Sequence, residues 1–415
     1  MFWGLILTAF AAIFSALRPG TQVVVKNTPN PRGVPIGTGI WFVAGLADAG
    51  PVGVPVVIHN TNDADQQLGG RVTYSSLWDA LDCFFREGGS TALVSRVVGP
   101  AAVKATKSLN DTGAAVSLVV TALGPGSYYN NIKIAVLAGL STGYRLQVQD
   151  VNGNPLETSS DLVTQNDGVA WSQFSEYVRV TLGASTNPPA VAAGANLAGG
   201  ADDRTNITDT QWLNALSAFS KDLGPGQVSC PGATQSSRHL QLLQHAAANN
   251  RIAVLDLPDS PSSSTLLAAV TSDGFSRYGA TFAPWLTCPG VITGSIRTVP
   301  PSPFVAAKMA QTDSIYGPGT PAAGIKGRLV FASGLSQPGW DATTRDQLNT
   351  GRVNVIRQFT NDARIYGWRS MADPINDPDW VNLGVPRVIM SIVSDALVVS
   401  ENYIFSVLDG LGHTI

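Results

Sequence analysis

Charge is what this chain is short of. Asp, Glu, Lys and Arg make up 13% of its 415 residues, about half the usual share of a soluble domain. Hydrophobic residues still account for 44%, and that combination excludes a disordered chain. It implies that much of the surface is covered by other protein. With 26 basic residues against 29 acidic ones the net charge is −3, so there is no basic footprint and no nucleic acid contact is expected. Cysteine is scarce as well. Cys83, Cys230 and Cys288 stand far apart without a CxxC or Cys/His cluster, and read as buried thiols of a protein made in a reducing cytosol. His239 and His245 are six residues apart, which puts them on different helix faces. No metal and no cofactor is expected.

Catalytic motifs are missing too. A P-loop needs GxxxxGK[ST], but Ile325 follows Gly324 where the lysine must stand, and Pro321 removes a donor. A nucleophile elbow needs GxSxG, and the run from Gly334 through Ser336 ends in Pro338. Asp256, closing the apolar run RIAVLDLP, lies where an α/β enzyme places a catalytic acid. No histidine or metal partner is indicated beside it, so no catalytic residue is assigned. The one long apolar run is Met1–Leu17, MFWGLILTAFAAIFSAL. It is marginal for a membrane span and lacks the basic start of a signal peptide. A partner-bound arm, a membrane or export segment, and a start placed before the true domain all stay open, and membrane contact of residues 1–17 is left undecided.

What is present is an α/β pattern. Gly39–Gly45 reads as a buried strand, Ser75–Glu87 as a helix with Leu77, Ala80, Leu81, Phe84 and Phe85 on one face, and Thr91–Val98 as a strand. Gly88 and Gly89 stop the helix. From Ala101 to Ala198 short β runs separated by Gly, Asn and Asp turns dominate. Helix and strand then alternate again, which predicts a doubly wound, mostly parallel sheet. The expected division is an N-terminal arm or hydrophobic segment (1–27), a first part of the α/β core (28–100), a β-rich insertion (101–198), a second part of the core (199–387), and a C-terminal helix and tail (388–415). The densest stretch is Val299–Gly324. There Ser302 is expected to cap a helix with Pro303 in its first turn. Val305, Ala306, Met309 and Ala310 share a face, and Gly317–Pro321 end the helix in a stiff extended strap.

That stretch resembles the VPPSG…D…G…APAG segment of contractile phage tail sheath proteins, through Pro300, Pro301 and Asp313. Gly88, Gly89 and Arg96 match the first block of the family, and Gly199 and Gly200 match its L.GG.DG. Asp256 ends the buried run Arg251–Pro258 that follows, and Pro284–Trp285 is the pair that precedes the VPPS segment. Asn349, Gly351, Asn354, Arg357, Gly367 and Arg369 match the LN..GVN.IR……WGART block. Tyr128–Tyr129 departs from the usual Trp-Gly, and Tyr366 and Trp368 replace Trp and Ala. The resemblance implies a subtilisin-like core without a triad, in a non-enzymatic subunit that stacks with copies of itself in rings around an inner tail tube protein. Baseplate and tail terminator proteins are further implied partners. The location implied is the virion tail, assembled in the host bacterial cytoplasm. Such subunits are linked by strand-adding arms, here assigned to Gln22, Val23, Val24, Val25 and Lys26. The family's longer C-terminal arm is not matched before Ile415: either the arm is missing from this version or linkage is made differently. The alternative, from another class, is an α/β hydrolase-like enzyme with a β insertion.

Val24→Pro removes a donor in mid-strand. It is expected to block polymerisation while leaving a folded monomer, as read by sedimentation; normal tubes would contradict the arm assignment.

Overall fold

A computed structural model of the chain describes residues 37–401; the arm residues Gln22–Lys26, the segment 1–17 and the end of the C-terminal tail lie outside them. In chain order the described elements begin with β1 (Ile40–Gly45), β2 (Val56–Ile58), α1 (Thr61–Leu68), α2 (Leu77–Arg86) and β3 (Ala92–Arg96). There follow β4 (Lys104–Asn110), β5 (Val116–Pro125), β6 (Lys133–Ala138), β7 (Tyr144–Gln149), β8 (Pro155–Thr158), α3 (Gln165–Ser172), β9 (Val178–Leu182), β10 (Ala192–Asn196) and α4 (Asp209–Ser217). The chain continues with β11 (Gly226–Ser229), α5 (Ser236–Ala248), β12 (Ile252–Asp256), α6 (Ser263–Ala269), β13 (Gly279–Ala283), β14 (Leu286–Pro289) and β15 (Ile296–Val299). It ends with α7 (Ser302–Tyr316), β16 (Arg328–Leu329), β17 (Gly334–Leu335), α8 (Ala342–Thr350), β18 (Val353–Gln358), β19 (Ala363–Ile365) and α9 (Gly384–Glu401).

Two compact units result. Of the described residues, the first unit takes 37–43, 83–92 and 219–401, and the second takes 44–82 and 93–218. The first unit holds a large mixed sheet in the order β16-β19-β18-β13-β12-β11-β1. Strands β1, β11, β12, β13 and β18 run parallel, and β19 and β16 add antiparallel pairs at one side. The central strands read as continuous apolar runs, as parallel strands covered on both faces must; every residue of β12 and β13 is buried. A small sheet, β15-β14-β17, sits in the same unit. In the second unit β3 and β2 are sheet neighbours, and two antiparallel sheets, β4-β5-β9 and β10-β6-β7-β8, share a core including Leu118, Val120, Ile134, Leu146 and Val180. Strict alternation makes this possible: Tyr144, Leu146 and Val148 of β7 are buried while their neighbours are half-exposed.

Helix α2 follows the pattern read from its sequence, with Leu77, Ala80, Leu81 and Phe84 buried. Its stop has a mechanical cause. Gly88 sits at φ 101°, and the Gly88 and Gly89 N–H groups donate to Phe85 O and Phe84 O, the paired bonds of a helix C-terminus. A Cβ on Gly89 would lie 2.4 Å from the Phe84 ring.

Several expectations are corrected. Helix α7 has no single apolar face: ten of its residues, from Ser302 to Ala310 and Thr312, are buried, so it is packed around most of its circumference. Ser302 does not cap it; Pro301 occupies that position, and the Ser302 side chain is used elsewhere. Gly317–Gly327 is a run of turns rather than an extended strap, because Gly317 and Gly324 take positive φ. The final helix starts at Gly384, with Pro386 inside its first turn where no N–H is needed. Helices α1 and α3 and strands β4, β8 and β10 were not legible, since their sequences are polar or small-residue runs without a period. Among the described residues no helix is long and apolar enough to cross a membrane.

Met309 is fully buried in the core of the first unit with Phe282, Phe304 and Ile356. Met309→Asp places an unpaired charge there and is expected to cost about 3–5 kcal/mol; thermal unfolding at an unchanged temperature would contradict this placement.

Candidate functional site: buried charges that anchor the elements

A chain this poor in charge nevertheless buries a set of ionic groups completely, and each ties sequence-distant segments together. The first is Asp256 at the end of β12. Its carboxylate accepts from the Ser302 N–H at 2.8 Å, the Ser302 hydroxyl at 2.7 Å and the Gly232 N–H at 2.9 Å. All its capacity goes to the start of α7 and to the turn after β11. His239 of α5 is nearby, contrary to expectation, but its Nε2 meets the backbone oxygens of Ala233 and Asp256. A catalytic triad places histidine between the hydroxyl and the carboxylate; here Ser302 donates directly to Asp256. The arrangement is a clamp, without a nucleophile–base pair.

Lys308, the one cation inside α7, has its ammonium 2.8 Å from Glu87. The Glu87 carboxylate also accepts from the Val330 and Phe331 N–H groups at 2.7 and 2.9 Å. Asp313, one helical turn further on, pairs with Arg387 of α9 at 2.5 Å and accepts from the Thr38 hydroxyl. Burial pushes the Asp313 carboxyl up while Arg387 pulls it down. Arg251 lies 3.6 Å over the Phe42 ring and donates to Phe219 O and Ser220 O, both at 2.6 Å. Its Nη1 is 2.9 Å from His245 Nε2, a contact that requires neutral imidazole; burial, with Arg251 adding to it, lowers His245 to about 4.

In the second unit Arg96 is the centre. Its guanidinium donates to the backbone oxygens of Ala47, Asp48, Gly50 and Pro125 and to the Asp202 carboxylate at 2.8 Å. The other Asp202 oxygen accepts from Ser127 N–H and hydroxyl. One planar, five-donor group thus ties the turn 47–50 to the end of β5 and to Asp202, which lysine could not do.

The remaining motif residues fall into place around these anchors. Asn354, fully buried in β18, donates to Thr281 O and Arg369 O and accepts from the Arg369 N–H. Arg369 in turn donates to Asn349 O. A Cβ on Gly367 would lie 2.8 Å from Asn354 Oδ1, and one on Gly351 would lie 2.0 Å from Leu267. The structure therefore brings Asn349, Gly351, Asn354, Gly367 and Arg369 together. Arg357 stands apart, over the Phe359 and Tyr366 rings. Gly200 is bonded to Asn130 in both directions and has no room for a side chain beside Gly126 O. Gly199 takes φ 82°. Trp285, after the cis Ala283–Pro284 bond, donates to Leu257 O, and Pro300 and Pro301 are buried ahead of α7. Glu87, Lys308, Arg251, Asp202 and Arg387 were not singled out from the sequence. For Lys308 and Arg387 the usable signal was a charge set in a largely apolar helix. All three cysteines are buried and unbridged, with the Cys83 and Cys288 sulfurs 3.6 Å apart. Among the described residues no three His, Cys, Asp or Glu side chains gather as metal ligands.

A large mixed sheet with additional small β-sheets is the arrangement this chain shares with solved sheath tail proteins. The chain is similar to the sheath tail protein of Desulfitobacterium hafniense at a TM-score of 0.55 and 16% identity, over 94% of this chain and 85% of that one. It is similar to the sheath tail protein Lin1278 of Listeria innocua at 0.61 and 15%, over 90% and 79%. A chain in the contracted anti-feeding prophage baseplate aligns at 0.50 and 16%, over 94% and 80%. No protein-family model and no curated protein matches the sequence.

Burial raises Asp256 to about 6 despite its donors. A carboxyl raised in the folded state contributes stability that is complete below its ordinary value near 4 and is lost as pH rises through about 6. His239 and His245, both lowered by burial, act oppositely: their contribution is present above about 6.5 and is lost as pH falls. Comparing wild type with Asp256→Asn cancels the histidines. The stability of wild type relative to the variant is expected to fall by about 3 kcal/mol between pH 4 and pH 7. Urea unfolding across that range checks it, and a difference independent of pH would contradict it.

Proposed function

We propose that this chain is the structural subunit of a contractile tail sheath, acting by assembly and without a reaction of its own. The observation that carries the reading is the similarity to the Lin1278 sheath tail protein over 90% of the chain. The low charge content agrees with it, since an assembled subunit buries surface that a monomer must solvate. Within this reading the large sheet is a doubly wound core of subtilisin-like topology, residues 101–198 are a β-rich insertion, and residues 1–27 and 388–415 supply the ends that reach neighbours. Residues Gln22–Lys26 form the linking arm. The matched motif residues, from Gly88 to Arg369, are structural.

The subunits stack as rings around an inner tube protein, joined by the baseplate at one end and a terminator protein at the other. They are built in the host cytoplasm and carried on the particle. Contraction drives the tube through a target envelope. With no bond made or broken, the work comes from contacts that are better in the contracted arrangement.

Sedimentation velocity and negative-stain micrographs of the purified chain test this. The expected result is large tubular or ring-shaped assemblies that grow with concentration. A small compact particle at every concentration would overturn the reading and favour the hydrolase-like alternative.

A further inference from the structure

Strand β18 separates two features of opposite sign. Beyond its last residues lies an open cleft of about 430 Å³, lined by Arg328, Phe359, Thr360, Asn361, Asp362 and Arg364. Arg364 holds the Asp362 carboxylate at 2.7 and 3.1 Å, and Arg328 holds the same carboxylate at 2.9 Å. Two guanidiniums thus share one carboxylate, and Arg357 adds a third cation on the Phe359 and Tyr366 rings. The Arg328 side chain is 59% exposed, so its outer N–H groups remain available to a second carboxylate.

Before the first residue of β18 lies the opposite feature. The loop 373–379, DPINDPD, carries Asp373, Asp377 and Asp379 within seven residues. Arg352 lies 4.0 Å from Asp373, and Arg277 lies 3.3 Å from Asp377, while Asp379 is exposed. Ile375, 85% exposed, stands at the centre of the loop. Pro374 and Pro378 limit the backbone freedom that docking would remove. Acidic loop and basic cleft are at the two ends of a six-residue strand, about 20 Å apart. A copy of the chain therefore cannot fill its own cleft.

We propose that the acidic loop of one copy docks in the arginine cleft of the next, as a head-to-tail contact between subunits. Ile375 enters against Phe359, and Asp379 meets Arg328. A heterologous contact of this kind repeats without limit or closes into a ring, and its charge complementarity selects register. The inference rests on the sheath reading and names one of the contacts by which it is realised.

The test uses the full-length chain in Arg328→Glu and Asp379→Lys forms, each alone, mixed in equal parts, and combined in one chain. Each single variant is expected to raise the concentration needed for assembly roughly tenfold or more, with folding checked by circular dichroism and melting. The mixture and the double variant are expected to recover assembly, since a cleft carrying Arg328→Glu then accepts a loop carrying Asp379→Lys; misfolding could not be repaired by mixing. Single variants that assemble like wild type, or a mixture that fails to recover, overturn the contact and leave the sheath reading standing. A wild-type chain that never assembles overturns both.

Discussion

The carboxylate of Asp256 is the constraint on which the first unit turns. It stands at the end of the central strand β12 and receives the hydrogen bonds that begin α7. A helix buried around most of its surface has no polar side to leave in water, so its position must come from its ends and from its few polar side chains. Asp256 fixes the N-terminus, Lys308 with Glu87 fixes the middle, and Asp313 with Arg387 fixes the last turn. These groups are costly to desolvate, and their worth lies in specifying one register of the helix; removing one partner leaves the other charge unpaired. The second unit uses the same device, with Arg96 paired to Asp202.

These anchors also explain how so little charge suffices. Ion pairs on a solvated surface contribute little, so the fold itself needs few of them. Charge is then retained where it orders backbone turns internally, or where it is exposed as a patch. The exposed patches here, the cleft at Arg328 and the loop at Asp379, occupy opposite ends of β18.

Much of the local structure was legible from residues alone. The apolar run Ile40–Gly45, the helical spacing of Leu77, Ala80, Leu81 and Phe84, the glycine stop after it, and the buried run ending in Asp256 all appear where the pattern places them. These signals are local, set by side-chain period and backbone freedom within one element. The same logic failed where an element has no period of its own, as in the polar strand β4 and the small-residue strand β10, which exist because antiparallel partners supply their hydrogen bonds.

The sequence by itself therefore determined the α/β alternation, the run of β strands between positions 101 and 198, and the absence of a recognisable catalytic motif. Only the tertiary structure decided what the polar residues do. It turned Ser302 from a cap into a donor to Asp256, surrounded α7, and set Glu87 against Lys308 across 221 positions of sequence. The physical reason is that periodicity reports which side of an element meets water, whereas the partner of a buried charge is chosen by contacts between elements far apart in the chain.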